Sequence, residues 1–413
     1  MNAVGMPQCM LAALLGLITS HVVSAAEVNY GADIRYRYEI FGTAGTVLHP
    51  GDRTSRASTA RLSTFFDLKT PSGVSGFAEI EAIGHIVEDD FNISTIRKQS
   101  RPGYPEIPDP EIIEINQAYL QFNTALASTA VRAGRQEITI NDGRFISASD
   151  WRQNHQSVDA VSLTAEPMEK LDVEYGYING VNTVFGRHAS NGRVDMSSHY
   201  FNVGYEFTGI GILKSYGIFL DYDDRPERST NTVGIRFEGN SHLFGEYGIH
   251  SFLEYASQVD AGDNPNNVDA EYLLLELGIS FNDIIIRGGF NQLTGSSAAG
   301  KFSTPLARPF NGWTELFIRN PSLGDDHHDL EVLSVAIQGR VPGIPRLDFA
   351  VIYYDYSAIS GDTHYGSELD LKLEYEVPVP GRPVSIGWRF GNYFADRLYS
   401  DTLRSSLYIT CSF

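Results

Sequence analysis

The chain has 413 residues, with 31 Lys and Arg against 51 Asp and Glu, a formal net charge of −20 that excludes a nucleic-acid binder, which needs a basic face. A mean hydropathy of −0.18, with no segment near the roughly 20 consecutive apolar residues of a spanning helix, excludes a helical membrane protein. It leaves open a β-barrel, whose membrane band hides in alternation, and the 22 Tyr and 39 Gly suit strands, aromatic girdles and turns.

Taken in order, the chain opens on a short apolar run, Met10 to Ile18, followed by the small residues Val23, Ser24, Ala25 and Ala26. This pattern predicts a secretory signal peptide over residues 1–26, although the leading Met1–Gln8 lacks the usual Lys or Arg. Every charged residue lies beyond it. Of the two cysteines only Cys411 remains after cleavage, so no intrachain disulfide is expected. Residues 27–413 read as one domain.

Period-2 alternation then dominates. Asp33, Arg35, Arg37 and Glu39 alternate with Ile34, Tyr36, Tyr38 and Ile40. Leu171, Val173, Tyr175 and Tyr177 alternate with Asp172, Glu174 and Gly176, and Val233, Ile235 and Phe237 with Thr232, Gly234, Arg236 and Glu238. Leu369, Leu371, Leu373 and Tyr375 alternate with Glu368, Asp370, Lys372 and Glu374. Ile112 to Asn123 mixes both faces, and His250 to Tyr255 is ambiguous. The run count is about eighteen strands, an even number as bacterial barrels require.

The links alternate long and short. Long ones are 42–56, 88–110, 141–156, 179–197, 221–229, 258–268, 295–329, 357–364 and 392–400; short ones include 71–73, 166–170, 281–283 and 341–346. A soluble sandwich has no reason to alternate so regularly. The pattern predicts an all-β, closed antiparallel transmembrane β-barrel with long extracellular loops and short periplasmic turns. The last strand fits, with Leu407, Ile409, Cys411 and Phe413 on one face; a terminal aromatic strand resembles the assembly signal of outer-membrane proteins.

In a barrel the lumen decides what crosses. Arg35, Arg37, Arg236, Arg287 and Arg389 fall on predicted inward faces, among acidic residues such as Glu81, Glu238, Glu276 and Asp370. Cross-strand pairs that neutralise the wall are one reading; a surviving basic ladder is the other. The strand and polar loop at 131–156 supply further candidates. Arg132, Arg135, Arg144 and Arg152 suit carboxylate recognition, since a guanidinium can fork onto a carboxylate. Gln136, Gln153 and Asn154 suit sugar hydroxyls, and Trp151 either stacks on a sugar ring or anchors the loop. The longest loop, 295–329, carries Phe302, Leu306, Phe310, Trp313, Leu316 and Phe317, too apolar for a solvated loop. It is expected to fold into the barrel mouth as a constriction, or else to cover the rim against lipopolysaccharide.

Metal, cofactor and catalytic signals are weak. Asp325–Asp329 reads as a solvated acidic loop, and Asp260–Asp269 is oxygen-rich but lacks EF-hand spacing. Ser198 and His199 are adjacent and so point to opposite faces of a strand. No phosphate loop or dinucleotide motif occurs. No metal, no cofactor and no enzyme activity are expected.

Several short motifs recur in one order: Gly134–Gln136, Asp142 and Arg144, Trp151–Asn154, and Asp159–Val161. Phe302–Leu306 and Phe310–Trp313 follow, with echoes at Tyr177–Val181, Phe185–Gly186 and Tyr365–Asp370. Together they resemble the alginate-export family of outer-membrane barrels over most of the chain. The resemblance implies an outer-membrane channel, in contact with lipid and lipopolysaccharide, and some members export alginate. A charge of −20 and strands of mixed sign speak against a conduit for a polyanion. Passive, selective diffusion of a small polar, anionic solute, an oligosaccharide, uronate or other carboxylate, is therefore the expectation. Polymer export and a non-transporting surface barrel or adhesin are the alternatives. No oligomer interface is legible.

Overall fold

A computed structural model of the protein describes residues 26–43, 53–244, 247–295, 297, 299–306, 310–317 and 329–413. Residues 1–25 of the expected signal peptide and Asp325 to His328 lie outside them. Eighteen strands form one sheet, each antiparallel to its neighbours. They are β1 (Glu27–Thr43), β2 (Ser55–Lys69), β3 (Val74–Asp90), β4 (Ile112–Thr124), β5 (Thr129–Gln136), β6 (Ser157–Met168), β7 (Leu171–Asn182), β8 (Arg193–Phe207) and β9 (Gly211–Leu220). The second half is β10 (Thr230–Phe244), β11 (Tyr247–Asp260), β12 (Asp269–Phe281), β13 (Ile284–Leu293), β14 (Leu330–Arg340), β15 (Leu347–Ser357), β16 (His364–Val377), β17 (Val384–Ala395) and β18 (Thr402–Ser412).

Every strand pairs with the next, and β1 also pairs with β18, with Arg37 opposite Tyr408. The sheet is thus closed and keeps no free edge, the condition for backbone to lie in hydrocarbon. Long links gather at one end (among them 91–111, 137–156 and 294–329) and short turns such as 70–73, 169–170 and 282–283 at the other. This is the predicted architecture.

Alternation sorts the side chains. Ile34, Leu62, Leu277, Ile286 and Val335 are exposed on the outer face, Leu277 by 65%. In water so continuous an apolar belt would aggregate; in a bilayer it is solvated by acyl chains. Arg37, Glu39, Glu81, Glu368 and Asp370 are fully buried inside.

The two unclear runs have physical explanations. Glu79 pairs with Gln117 but Ile80 with Ile115, so Asn116 is an extra residue, a bulge that swaps faces midway along β4. On β11, Phe252 stands opposite Glu276 and Glu238 on the lumen side, where an apolar residue breaks the expected pattern. The link expected at 179–197 is shorter, because β7 continues past a bulge at Ile178/Gly180 to Asn182 and β8 begins at Arg193.

Candidate functional site

Two long loops fold inward and meet. The first, 137–156, is held by arginines of β1. Arg35 donates to the carbonyl oxygens of Asp150 (2.7 Å) and Arg152 and to Oε1 of Gln153 (2.9 Å). Arg37 donates to the carbonyl of Trp151 and pairs with Asp109 of the 91–111 loop and with Glu39 (3.2 Å). These wall cations satisfy loop carbonyls that would otherwise be buried without partners. The end of the loop is tied by His155, whose Nδ1 contacts Glu137 at 2.8 Å while Nε2 faces Arg61.

In the second loop, 294–329, the described part around 310–317 is held by carboxylates of β16. Glu368 and Asp370 are two residues apart and share the inner face. Asp370 Oδ2 accepts the Trp313 backbone N–H at 3.0 Å, and Glu368 accepts the Thr314 backbone N–H at 2.8 Å and its hydroxyl at 2.5 Å. Gly312 makes this approach feasible. Its φ is +92°, and a Cβ there would lie 2.5 Å from the Glu368 carboxylate. Beyond it Phe317 stacks on Tyr356, centroids 4.0 Å apart. The loops join where the Ser147 N–H donates to the Leu306 carbonyl at 3.0 Å, and Phe145 and Phe302 pack together.

An ion-pair network runs beneath this junction. Arg152 of the first loop pairs with Glu315 of the second, which pairs with Arg404 of β18 (2.7 Å); Arg404 also meets Glu39 at 2.5 Å. Burial alone would raise the Asp109 and Glu315 carboxyls. Arg37 and Arg152 beside Asp109, and Arg152 and Arg404 beside Glu315, outweigh it and hold both below the ordinary carboxylate range. Arg152 is itself left below its usual value by burial, against the opposing pull of Glu315.

Between the loops and the wall lies a cavity of about 670 Å³, within the range of small-molecule sites. Arg35, Arg144, Arg152, Arg236, Arg287 and Arg389 line it, with Trp151, Phe310 and Trp313. Arg152, Arg236 and Arg287 are ion-paired. Arg236 meets Glu238 (2.7 Å), Glu254 (2.6 Å) and Asp142 (3.1 Å), and Arg287 meets Glu276 at 3.4 Å. Arg35 has no ion-pair partner among the described residues but spends its donors on Gln153 and loop carbonyls, which leaves Arg144 and Arg389. Arg389 lies between the rings of Trp151 and Trp313, 4.5 Å from each centroid. Arg144 lies against Phe310 (3.6 Å) and Tyr272 (4.8 Å), and its Nε has no hydrogen-bond partner. Aromatic faces fix a guanidinium while leaving its in-plane donors free.

The remaining sequence candidates separate from this cavity. Arg132 is inward but lies over Tyr119 (4.3 Å) and donates to Gln121, away from the cavity lining. Arg135 shares the outward row with Val131 and Ala133, opposite Ala118, and pairs with Asp159 at 2.8 Å. It is no part of a lumen ladder. Arg132 and Arg135 are three residues apart, and a period of two puts such residues on opposite faces. Gln136, Gln153 and Asn154 are almost fully buried and bond to protein groups: Ala160, Thr59 and Glu114 respectively. They order the loop instead of meeting a solute. Trp151 both anchors the loop and lines the cavity. In the Asp260–Asp269 loop, two side-chain oxygens are spent on turns, Asp260 accepting from Val268 N–H and Asn264 from Asn266 N–H.

Sequence reasoning missed Asp109, Glu315 and the loop-holding role of Glu368 and Asp370. Asp109 sits between Pro108 and Pro110, which marks a fixed turn but not its partner.

The sequence profile for alginate export matches residues 26–245, more than half of the chain. The chain belongs to the alginate export family. No curated protein matches its sequence. Among solved structures, the family member is similar to OccAB4 of Acinetobacter baumannii (17% identity, 94% of this chain and 99% of that one, TM-score 0.69). It is also similar to OpdK of Pseudomonas aeruginosa solved with vanillate (13%, 93% and 98%, TM-score 0.69). OccK9 of the same organism gives 12% identity, 94% and 98% coverage and a TM-score of 0.71. At these identities the likeness is one of fold. This family member is a porin-like barrel of the bacterial outer membrane.

Proposed function

We propose that this barrel is a passive channel for small polar solutes bearing a carboxylate, selected at the constriction between the two inward loops. One observation carries the reading. Arg144 and Arg389 face a solute-sized cavity with aromatic support and no ion-pair partner among the described residues. An incoming carboxylate replaces water with forked, charge-assisted hydrogen bonds there. The flanking rings offer flat apolar surface to a sugar or aromatic body. OpdK, of similar fold, was solved with vanillate, an aromatic carboxylate. Conduction also requires release, and the paired arginines around the cavity keep the net field modest. Export of a long polyanion is less well matched by a lumen narrowed by two docked loops.

The test is planar-bilayer recording of the refolded barrel across a KCl gradient, with glucuronate and vanillate added. The reading expects a chloride-leaning reversal potential and concentration-dependent blockade that weakens in Arg389→Ala. Cation selectivity without blockade would overturn it. A folded barrel with no conductance would favour a surface protein.

A further inference from the structure

Glu315 occupies an unusual position. Its backbone is left-handed, φ 62°, a conformation seldom held by a non-glycine residue without compensation. Its side chain is 6% exposed yet belongs to the cavity lining. Oε2 takes Arg152 from the other inward loop and Arg404 from the wall, while Oε1 has no partner among the described residues. It is the only ion-pair partner of Arg152 among the described residues. Arg404 retains Glu39 besides. Arg389 stands close enough to act on Glu315 electrostatically. Without this carboxylate, Arg152 would stand unpaired in a cavity wall that already carries Arg144 and Arg389, while Arg404 would keep Glu39.

We propose that Glu315 sets the specificity of the constriction by occupying Arg152, so that a solute meets only Arg144 and Arg389 as free cations. The inference rests on the anionic-solute reading and refines it: the channel suits solutes with one or two carboxylates and disfavours polyanions. A site that must release its solute is poorly served by a third free cation, because a chain of uronates would bind all three and stay. Glu315 is a positioning residue, acting through Arg152.

The experiment compares wild type, Glu315→Gln, Glu315→Asp, Arg152→Gln and the double variant Glu315→Gln/Arg152→Gln in bilayers. It reads reversal potential and the residence times of glucuronate and a tetra-uronate. Glu315→Gln is expected to move the reversal potential toward chloride. It should lengthen tetra-uronate residence roughly fivefold or more, with a smaller effect on the monomer. Glu315→Asp should behave like wild type, and the double variant, which restores the charge balance, should return toward it. Should Glu315→Gln fail to assemble, Arg152→Gln alone decides, because it takes one of two cations from the Glu315 carboxylate, leaving Arg404, and must shift selectivity toward cations. Wild-type values in Glu315→Gln overturn the proposal. So does a shift that Arg152→Gln does not reverse, since that marks a displaced loop and not an unmasked charge. A wild-type channel that prefers cations removes the anionic-solute reading itself, whatever Glu315 does.

Discussion

The Trp313 backbone N–H reaches Oδ2 of Asp370 across 57 residues of sequence, at 3.0 Å. The same stretch of loop is held by Glu368, so two wall carboxylates fix the loop segment that lines the cavity. Replacing both, Asp370→Ala with Glu368→Ala, should release the loop. Gly312→Ala should do so from the other side, because its Cβ would press on the Glu368 carboxylate at 2.5 Å and a positive φ costs a side chain about 1–2 kcal/mol. Larger, noisier single-channel conductance is the expected result. Unaltered current steps in both variants would show that the loop is held by something else.

In the proposed channel Arg144 and Arg389 contact the solute directly. A charged hydrogen-bonding group contributes about 1.5–3 kcal/mol, so each alanine variant should weaken carboxylate blockade by roughly tenfold or more. Blockade constants from titrated glucuronate provide the check, with a neutral sugar as control.

Arg135 provides the converse case. It lies on the outer wall beside Asp159, so Arg135→Ala should leave reversal potential and blockade unchanged. A shift comparable with that of Arg389→Ala would place Arg135 in the conduction path after all.

Acid should loosen the constriction. Asp109 and Glu315, despite burial, are held below their ordinary range by neighbouring arginines. A depressed carboxyl stabilises the fold above its unfolded value, near about 4, and that stabilisation is lost as pH falls through the lower folded value. Current steps and protease resistance of the 137–156 loop should therefore hold steady from neutral pH to about pH 5 and deteriorate below about pH 4. Loosening already near neutrality would contradict the assignment.

Arg37, Asp109 and Glu39 form a fully buried set. Removing one partner strands a charge, which typically costs about 3–5 kcal/mol. Asp109→Ala should lower the unfolding temperature of the refolded barrel, readable as earlier loss of heat-modifiable gel migration.

The barrel was legible because its evidence is local. Leu369, Leu371 and Leu373 against Glu368, Asp370 and Lys372 state two faces within a few residues, and the loop lengths repeat the message. The inward direction of Arg35, Arg37, Arg236, Arg287 and Arg389 followed from the same parity. Applying that parity to Arg132 and Arg135 would have separated them. What stayed hidden depends on distant partners. Glu315 is one carboxylate in a long loop until Arg152, 163 residues earlier, and Arg404 are brought to it. Asn116 conceals itself differently, because one bulged residue exchanges the faces of an otherwise regular strand.

The pairing of Glu39 with Arg404 has a consequence for biogenesis. The first residue belongs to the opening strand and the second to the closing one, 365 positions later. Arg35 and Arg37, which hold the first inward loop, also stand on that opening strand. A chain halted before its final strand therefore has no Arg404 to receive Glu315 or Glu39, although the β1 and β16 residues that hold the two loops are already in place. The ion-pair chain from Arg152 through Glu315 and Arg404 to Glu39 is therefore completed only when the seam is zipped, so the charge balance of the finished passage reports that the barrel has closed.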